Sequence, residues 1–420
     1  MEHNVQVPRV KSIDNTLNVL KEGYNFIQNR RKQLNSDIFE ARVLGETALC
    51  MGGMEAAKLF YDNDRFQRKG AAPMRVQKTL FGVNAIQTMD GNAHEHRKLL
   101  FMSLMAPDRL QVLSNLLWDR WRDYAARWEQ MDSIVLFDEV QEMLCRAACQ
   151  WAGVLLPERE VKQRAKDFGA MVDAFGAVGP RHWQGRKARQ NGEMWIRTVI
   201  EQVRSGSMKA DKYTALHAMA FHRDQEGKPL DTQMAAVELI NVLRPIVAIA
   251  TYVTFGALAI HDYPECKKQL LVGGEKEQEM FVQEVRRFYP FGPFLGARVK
   301  KDFTWNSYDF KEGQLVLLDV YGTNHDRKLW DLPDKFWPHR FSNWEGSLFD
   351  LIPQGGGDPY KGHRCPGESV TILVLKSSFE FMTKHMDYEV APNQDLSYSL
   401  RRMPTLPNSK FIIQNVSLRK

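Results

Sequence analysis

A chain of 420 residues with 44% hydrophobic and 26% charged residues can bury a substantial core and is too apolar to be disordered by composition. Its formal charge of +6 is scattered rather than gathered into a Lys/Arg run, so a nucleic-acid partner is not expected, and a mildly basic surface suits an anionic small molecule equally well. The five cysteines, at 50, 145, 149, 266 and 365, are odd in number and widely spaced, which argues against a disulfide framework and for a reducing, cytoplasmic setting.

In chain order, ARVLGETALCM (41–51) reads as strand and EAAKLFY (55–61) as helix. Helical periodicity dominates from about residue 104 to 290, as in LSNLLWDRWRDYAARW (113–128), whose large apolar residues recur at threes and fours. A long apolar helical pattern over 232–261 is interrupted by Pro245, and EKEQEMFVQEVRRFYP (275–290) is an amphipathic helix stopped by Pro290. The apolar run 245–260 falls short of the ~20 residues of a membrane helix, so membrane insertion is not expected. The period then changes to two over 297–321, with N-S and E-G turns that predict hairpins. ESVTILVLKSSFEFMTKHM (368–386) is apolar nearly all round, as a buried helix is, and SKFIIQNV (409–416) reads as strand. The expected architecture is one mainly α domain over residues 1–420, with small β pieces near both ends.

QGGGDPYKGHRCPGE (354–368) sets Cys365 among glycines and cations. A structural zinc site needs clustered Cys or His ligands, and no CxxC pair exists. A nucleophilic cysteine needs a base and an orienting partner, and His363 is only two residues away. A thiolate ligand to heme iron needs a single cysteine, backbone donors near the sulfur and cations for the propionates. A helix beginning after Cys365 would turn its N-terminus toward the thiolate. The bland alternative is a core thiol in a glycine-rich turn.

Two further motifs weigh against it. Glu284 and Arg287 stand one helical turn apart, and FWPHRF (336–341) brings Arg340 into an aromatic setting. ExxR, then PxRF, then a glycine-rich cysteine loop, in this order, resembles the cytochrome P-450 superfamily. That resemblance implies the mainly α cytochrome P-450 fold, a helical heme-binding domain with small β-sheet regions. It implies heme b (iron protoporphyrin IX) as cofactor, Cys365 as its iron ligand, and a structural triad of Glu284, Arg287 and Arg340.

The sequence departs from the common monooxygenase pattern around Leu243-Arg244-Pro245-Ile246, where no acid-alcohol pair occurs in an otherwise apolar helix. A buried arginine is costly unless something anionic pairs with it, and Pro245 disturbs the helix beside it. The bland reading is an ion pair with an acid elsewhere in the chain. The functional one is that Arg244 holds a substrate carboxylate bidentately. Peroxide heterolysis needs a group that takes a proton from one oxygen and returns it to the other. An anchored carboxylate can do both, with hydrogen peroxide as oxidant and no redox partner. Oxidation would then fall on the carbons nearest the carboxylate.

NVLRPIVAIA, FVQEVRRFYPFGPFLGA (281–297), LFGVNAIQTMDG (80–91), DAFGAVGPRHW (173–183) and the long cysteine loop resemble the bacterial fatty-acid peroxygenase and decarboxylase branch of that superfamily. The resemblance implies that Arg244 and Pro245 are the carboxylate-binding and acid-base pair, and that long-chain fatty acids are hydroxylated at the α and β carbons. In that branch position 87 is histidine or glutamine; histidine tends toward terminal alkenes, glutamine toward hydroxylation. Gln87 here favours hydroxylation, since an amide cannot shuttle protons as imidazole does. Propionate partners are expected among His363, Arg68, His94 and Lys98, each of which is otherwise a solvated surface charge. Phe81, Phe175, Phe291 and Phe294 are candidates for an apolar tunnel, against the plainer reading that aromatics at such spacing are core. Two rivals are a dioxygen- and reductase-dependent fatty-acid monooxygenase and a non-catalytic heme or fatty-acid binding protein.

Overall fold

The computed structural model describes residues 6–419. Two β-strands near the N-terminus, β1 (Ile38–Val43) and β2 (Glu46–Met51), pair in antiparallel register through a tight turn at Leu44 and Gly45. They do not stand apart from the later strands. β2 runs parallel to β8 (Leu315–Asp319), which pairs with β5 (Phe294–Val299), which in turn meets β3 (Phe66–Gln67). One five-stranded sheet, ordered β1-β2-β8-β5-β3, therefore joins segments far apart in the chain. The N-S dipeptide makes the expected hairpin. Asn306 and Ser307, both at positive φ, connect β6 (Phe303–Trp305) to β7 (Tyr308–Phe310). A three-stranded sheet places β10 (Ile412–Leu418) between β4 (Ser133–Val135) and β9 (Met386–Val390).

Helices supply the bulk of the fold, and the largest core cluster runs from Ile86 to Val416. The expected helices form at Pro107–Trp128, Glu275–Phe288 and Glu368–Glu380. A helix not anticipated, Gly91–Leu104, turns His94, Arg97, Lys98, Phe101 and Leu104 inward together. The long apolar pattern resolves into Thr232–Ala248 and Ala250–Asp262. Pro245 is carried inside the first helix and the break falls one turn later, where the Ile249 N–H turns to the carbonyl of Ile246 instead of Pro245. By length and composition 232–262 could cross a membrane, but 94% of its most apolar stretch is buried within the molecule, so it is a core helix pair.

Candidate active site

The loop bearing Cys365 is held from behind by arginines. The Cys365 N–H donates to the Gln354 carbonyl at 3.0 Å. The Gln354 side chain accepts from Arg286 at 2.9 and 3.1 Å, and Arg286 also pairs with Glu368. Glu368 is shared with Arg364, at 2.6 Å. Arg286 is as buried as its neighbour Arg287; sequence reasoning passed over it, although the RR doublet in EVRRF marks it. Gly355 sits at φ +92° where a Cβ would meet the Tyr61 hydroxyl at 2.6 Å, so this glycine lets the loop lie against Tyr61. Burial raises the Cys365 thiol pKa, opposed by the Gly367 N–H directed at the sulfur and by Lys98 and Arg244. Residue Cys365 is half-buried in this loop.

Basic side chains converge beside this loop. His94 and His363 stack with ring centroids 4.0 Å apart. Lys98 donates to the carbonyls of Gly362, at 3.1 Å, and Arg364. Arg68 lies over the Phe60 ring at 4.3 Å, and its Nη1 has no partner. Asp90 accepts from the Arg68 and Lys69 N–H groups at 2.8 Å and faces His363 Nε2 at 3.4 Å, and Asp358 acts electrostatically on Lys98. Burial is the leading cause that pulls Arg68 down to about 10, Lys98 to about 8, His94 to about 3 and His363 to about 4. These are not solvated surface charges. Arg68 and Lys98 are buried cations without a salt bridge among the described residues, and the two histidines offer ring N–H donors beside them, so a heme's two propionates beside Cys365 match these side chains. The residues fit the group.

Arg244, on the helix Thr232–Ala248, acts electrostatically on Cys365. It is 7% exposed, and its Nη2 reaches only the Asn241 side-chain oxygen, at 3.5 Å. Its Nε has no partner, and no carboxylate pairs with it among the described residues. Burial, then the nearby Arg189, pulls its pKa down to about 9, while Cys365 acts in the opposite direction. The bland reading, an internal ion pair, therefore fails. The helix is less apolar than its sequence suggests, because Glu238, Asn241 and Arg244 recur every third residue and are all buried. Gln87, in the short turn Ile86–Thr88, meets Asn241 Nδ2 at 3.5 Å, and Phe81 contributes its carbonyl to the same nitrogen at 2.9 Å. Phe291 stacks on Tyr252 at 4.8 Å at the edge of the main core. Phe294 packs with the cluster of Tyr24 and Phe39, and the Tyr24 hydroxyl donates to the Phe291 carbonyl at 2.8 Å. Phe175 is half-buried after the helix Val161–Asp173.

The structure brings Glu284, Arg287 and Arg340 together. Arg287 grips Glu284 bidentately at 2.7 and 2.8 Å, Arg340 Nε reaches it at 3.0 Å, and the Trp337 N–H donates to it at 2.7 Å.

The family model for cytochrome P-450 matches residues 278–414, which covers the triad and the cysteine loop. Among solved structures, Cytochrome P450EX alpha (CYP152N1) with myristic acid is 46% identical. It covers 99% of this chain and 100% of its own, with a TM-score of 0.95. A variant of cytochrome P-450 OleT in complex with arachidonic acid is 37% identical, covers 99% of each chain and has a TM-score of 0.96. Among curated relatives, the beta-amyrin 28-monooxygenase of Vitis vinifera is 22% identical over 412 residues, 90% of this chain and 84% of its own length. Near-complete coverage at such identity bears out the expected superfamily and branch, and with the Cys365 loop and its cations in place, the chain belongs to the cytochrome P-450 family, in the CYP152 branch, and is a heme-dependent oxidoreductase.

Proposed function

We propose that this protein is a peroxygenase that uses hydrogen peroxide to hydroxylate long-chain fatty acids at the α and β carbons, with some decarboxylation to terminal alkenes. The observation that carries the reading is Arg244, a buried guanidinium with an unpartnered Nε and no acid beside it. Such a group is stable only if a ligand supplies the anion. Two solved relatives hold fatty acids, myristic and arachidonic, and a fatty-acid carboxylate meets the requirement bidentately.

When bound, the heme supplies the iron at which peroxide is activated and a C–H bond oxidised. Cys365 would ligate that iron, and Arg68, His94, Lys98 and His363 would hold the propionates. Arg244 binds and orients the carboxylate. With the head group fixed there, only the neighbouring carbons reach the reacting centre, which sets the α and β regiochemistry. The carboxylate held by Arg244 takes up and returns the proton that peroxide chemistry moves. Pro245 lacks an N–H, so the Asn241 carbonyl loses its helical donor beside that contact. Gln87 contributes a polar but non-titrating contact near the carboxylate. Phe81, Phe291 and Phe294 are proposed to meet the alkyl chain, Phe294 from a separate cluster. Glu284, Arg287 and Arg340 hold the frame behind the loop.

All five cysteines are free, which suits a reducing cytoplasm, and the lack of an acid-alcohol pair around Arg244 suits a single catalytic domain without an obligatory redox partner. The test is product analysis of purified holoenzyme with myristate or palmitate and hydrogen peroxide, with reductase and nicotinamide omitted. Hydroxylation beside the carboxylate is expected, with or without an alkene one carbon shorter. No turnover, or oxidation near the methyl end, would refute carboxylate anchoring, and strict dependence on an electron donor would restore a monooxygenase.

A further inference from the structure

Glu238 is completely buried on the Arg244 helix, six residues before the arginine. Its Oε1 accepts from Arg97 Nη1 at 2.8 Å and from the Ile86 N–H at 2.9 Å, and its Oε2 accepts from Asn241 Nδ2 at 3.1 Å. Neither the triad, the cysteine loop nor the propionate cluster uses this ion pair. Placing a carboxylate two turns from an anion-binding arginine looks counterproductive, because an apolar pair fills such space at least as well.

The polarity of Asn241 resolves the difficulty. Its amide nitrogen faces three oxygens: the Phe81 carbonyl at 2.9 Å, Glu238 Oε2 at 3.1 Å and Gln87 Oε1 at 3.5 Å. Its amide oxygen is thereby left for Arg244 Nη2, at 3.5 Å. Reversing the amide would set oxygen against three acceptors and an NH2 group against a guanidinium, which also only donates. An ionised carboxylate is an acceptor alone, so Glu238 admits one orientation of Asn241. Burial raises the Glu238 pKa, while Arg97 and the hydrogen bonds from Asn241 and Ile86 oppose it, and Arg97 Nη1, at 2.8 Å, is the cation that favours its carboxylate form. Arg97 also pairs with the one carboxylate on this helix.

We propose that the Arg97–Glu238 ion pair is a positioning device for carboxylate recognition. Glu238 fixes which end of the Asn241 amide faces Arg244, and so holds the Arg244 guanidinium ready for the substrate. The inference rests on Arg244 being the carboxylate anchor. Because Glu238 also accepts from Ile86, the same carboxylate ties down the turn that carries Gln87.

The experiment is equilibrium binding of myristate and of 1-tetradecanol to the holoenzyme, read from the heme absorption spectrum, for wild type, Glu238→Gln, Arg97→Gln/Glu238→Gln and Arg244→Gln. The alcohol shares the chain but not the charge. Glu238→Gln presents an amide that can donate toward Asn241, so the preference for acid over alcohol should fall about tenfold or more, with alcohol binding unchanged. A purely structural role would weaken both ligands together and leave the ratio alone, and that result would overturn the inference. Should Glu238→Gln fail to fold, the double variant decides, since it removes both charges at once; a retained preference there is equally fatal. Arg244→Gln separates the two levels. If it keeps the acid preference, the anchor itself is wrong. If it loses the preference while Glu238→Gln keeps it, only the positioning role falls.

Discussion

The two neighbourhoods of Cys365 treat buried arginines in opposite ways. Behind the loop each arginine has its acid: Arg287 and Arg340 share Glu284, and Arg286 and Arg364 share Glu368. Beside the loop and on the helix Thr232–Ala248, Arg68 and Arg244 have no salt-bridge partner among the described residues, and burial is the leading cause that lowers the pKa of each. Burial costs both groups their hydration, but only the first is compensated from within the chain. The saturated set is a frame, complete in the protein alone. The unsaturated set is a receptor, whose missing anions arrive with propionates and a fatty-acid carboxylate.

The contrast predicts stability changes of different kinds. Glu284→Ala leaves Arg287 and Arg340 buried without their acid, and should cost roughly 3–5 kcal/mol; urea unfolding of the heme-loaded protein measures it, and a loss below a third of that would mean the triad is not the frame described. Arg244→Ala removes an uncompensated charge, so the same unfolding curve should stay put or move to higher urea. Its peroxide-driven turnover of myristate should nevertheless fall by roughly a hundredfold, the worth of a lost pair of charge-assisted hydrogen bonds. Wild-type turnover by that variant would remove the receptor from the picture.

The receptor side should also be the more acid-sensitive. His94 and His363 are held well below the ordinary histidine value, chiefly by burial. The unfolded chain therefore takes up protons below pH ~6.5 that the folded chain refuses until about pH 4 or lower. Stability of the heme-free protein is level above that point and falls as pH drops, by at most about 1.4 kcal/mol per pH unit for each histidine. Bound propionates supply counter-charge and should flatten the slope, so paired urea titrations at pH 7.5 and 5.0, with and without heme, isolate the effect. Equal slopes would mean that these histidines do not face the propionates.

How much of this was legible in the sequence follows from how local each feature is. The triad residues and the cysteine loop belong to short motifs with distinctive spacing, readable without knowledge of distant partners. Helix Gly91–Leu104 was missed because HEHRK reads as a solvated charge run. Its clue was the spacing of His94, Arg97 and Lys98 on the face shared with Phe101 and Leu104. Glu238 and Asn241 vanished into an apparently apolar helix, since their importance lies in partners such as Arg97 and Gln87, about 140 to 150 residues away. The N-terminal hairpin joining strands near residue 315 is likewise a long-range pairing, and no local pattern announces it.

The smallest predicted effect concerns Gln87, which sits where the two neighbourhoods meet the substrate. It belongs to the turn fixed by Glu238 and faces the same Asn241 amide that faces Arg244. An amide there does not change charge with pH, whereas an imidazole titrates near neutrality. Gln87→His should therefore leave fatty-acid affinity and total peroxide turnover within a few-fold of wild type. The split of products should move toward the terminal alkene by a few-fold, a difference of under about 1 kcal/mol between competing barriers. Gas chromatography of the products from palmitate measures it directly. An unchanged split would place control of the products elsewhere, in the depth to which Arg244 draws the carboxylate, and a shift that tracked pH through the histidine range would tie it to the ring's proton.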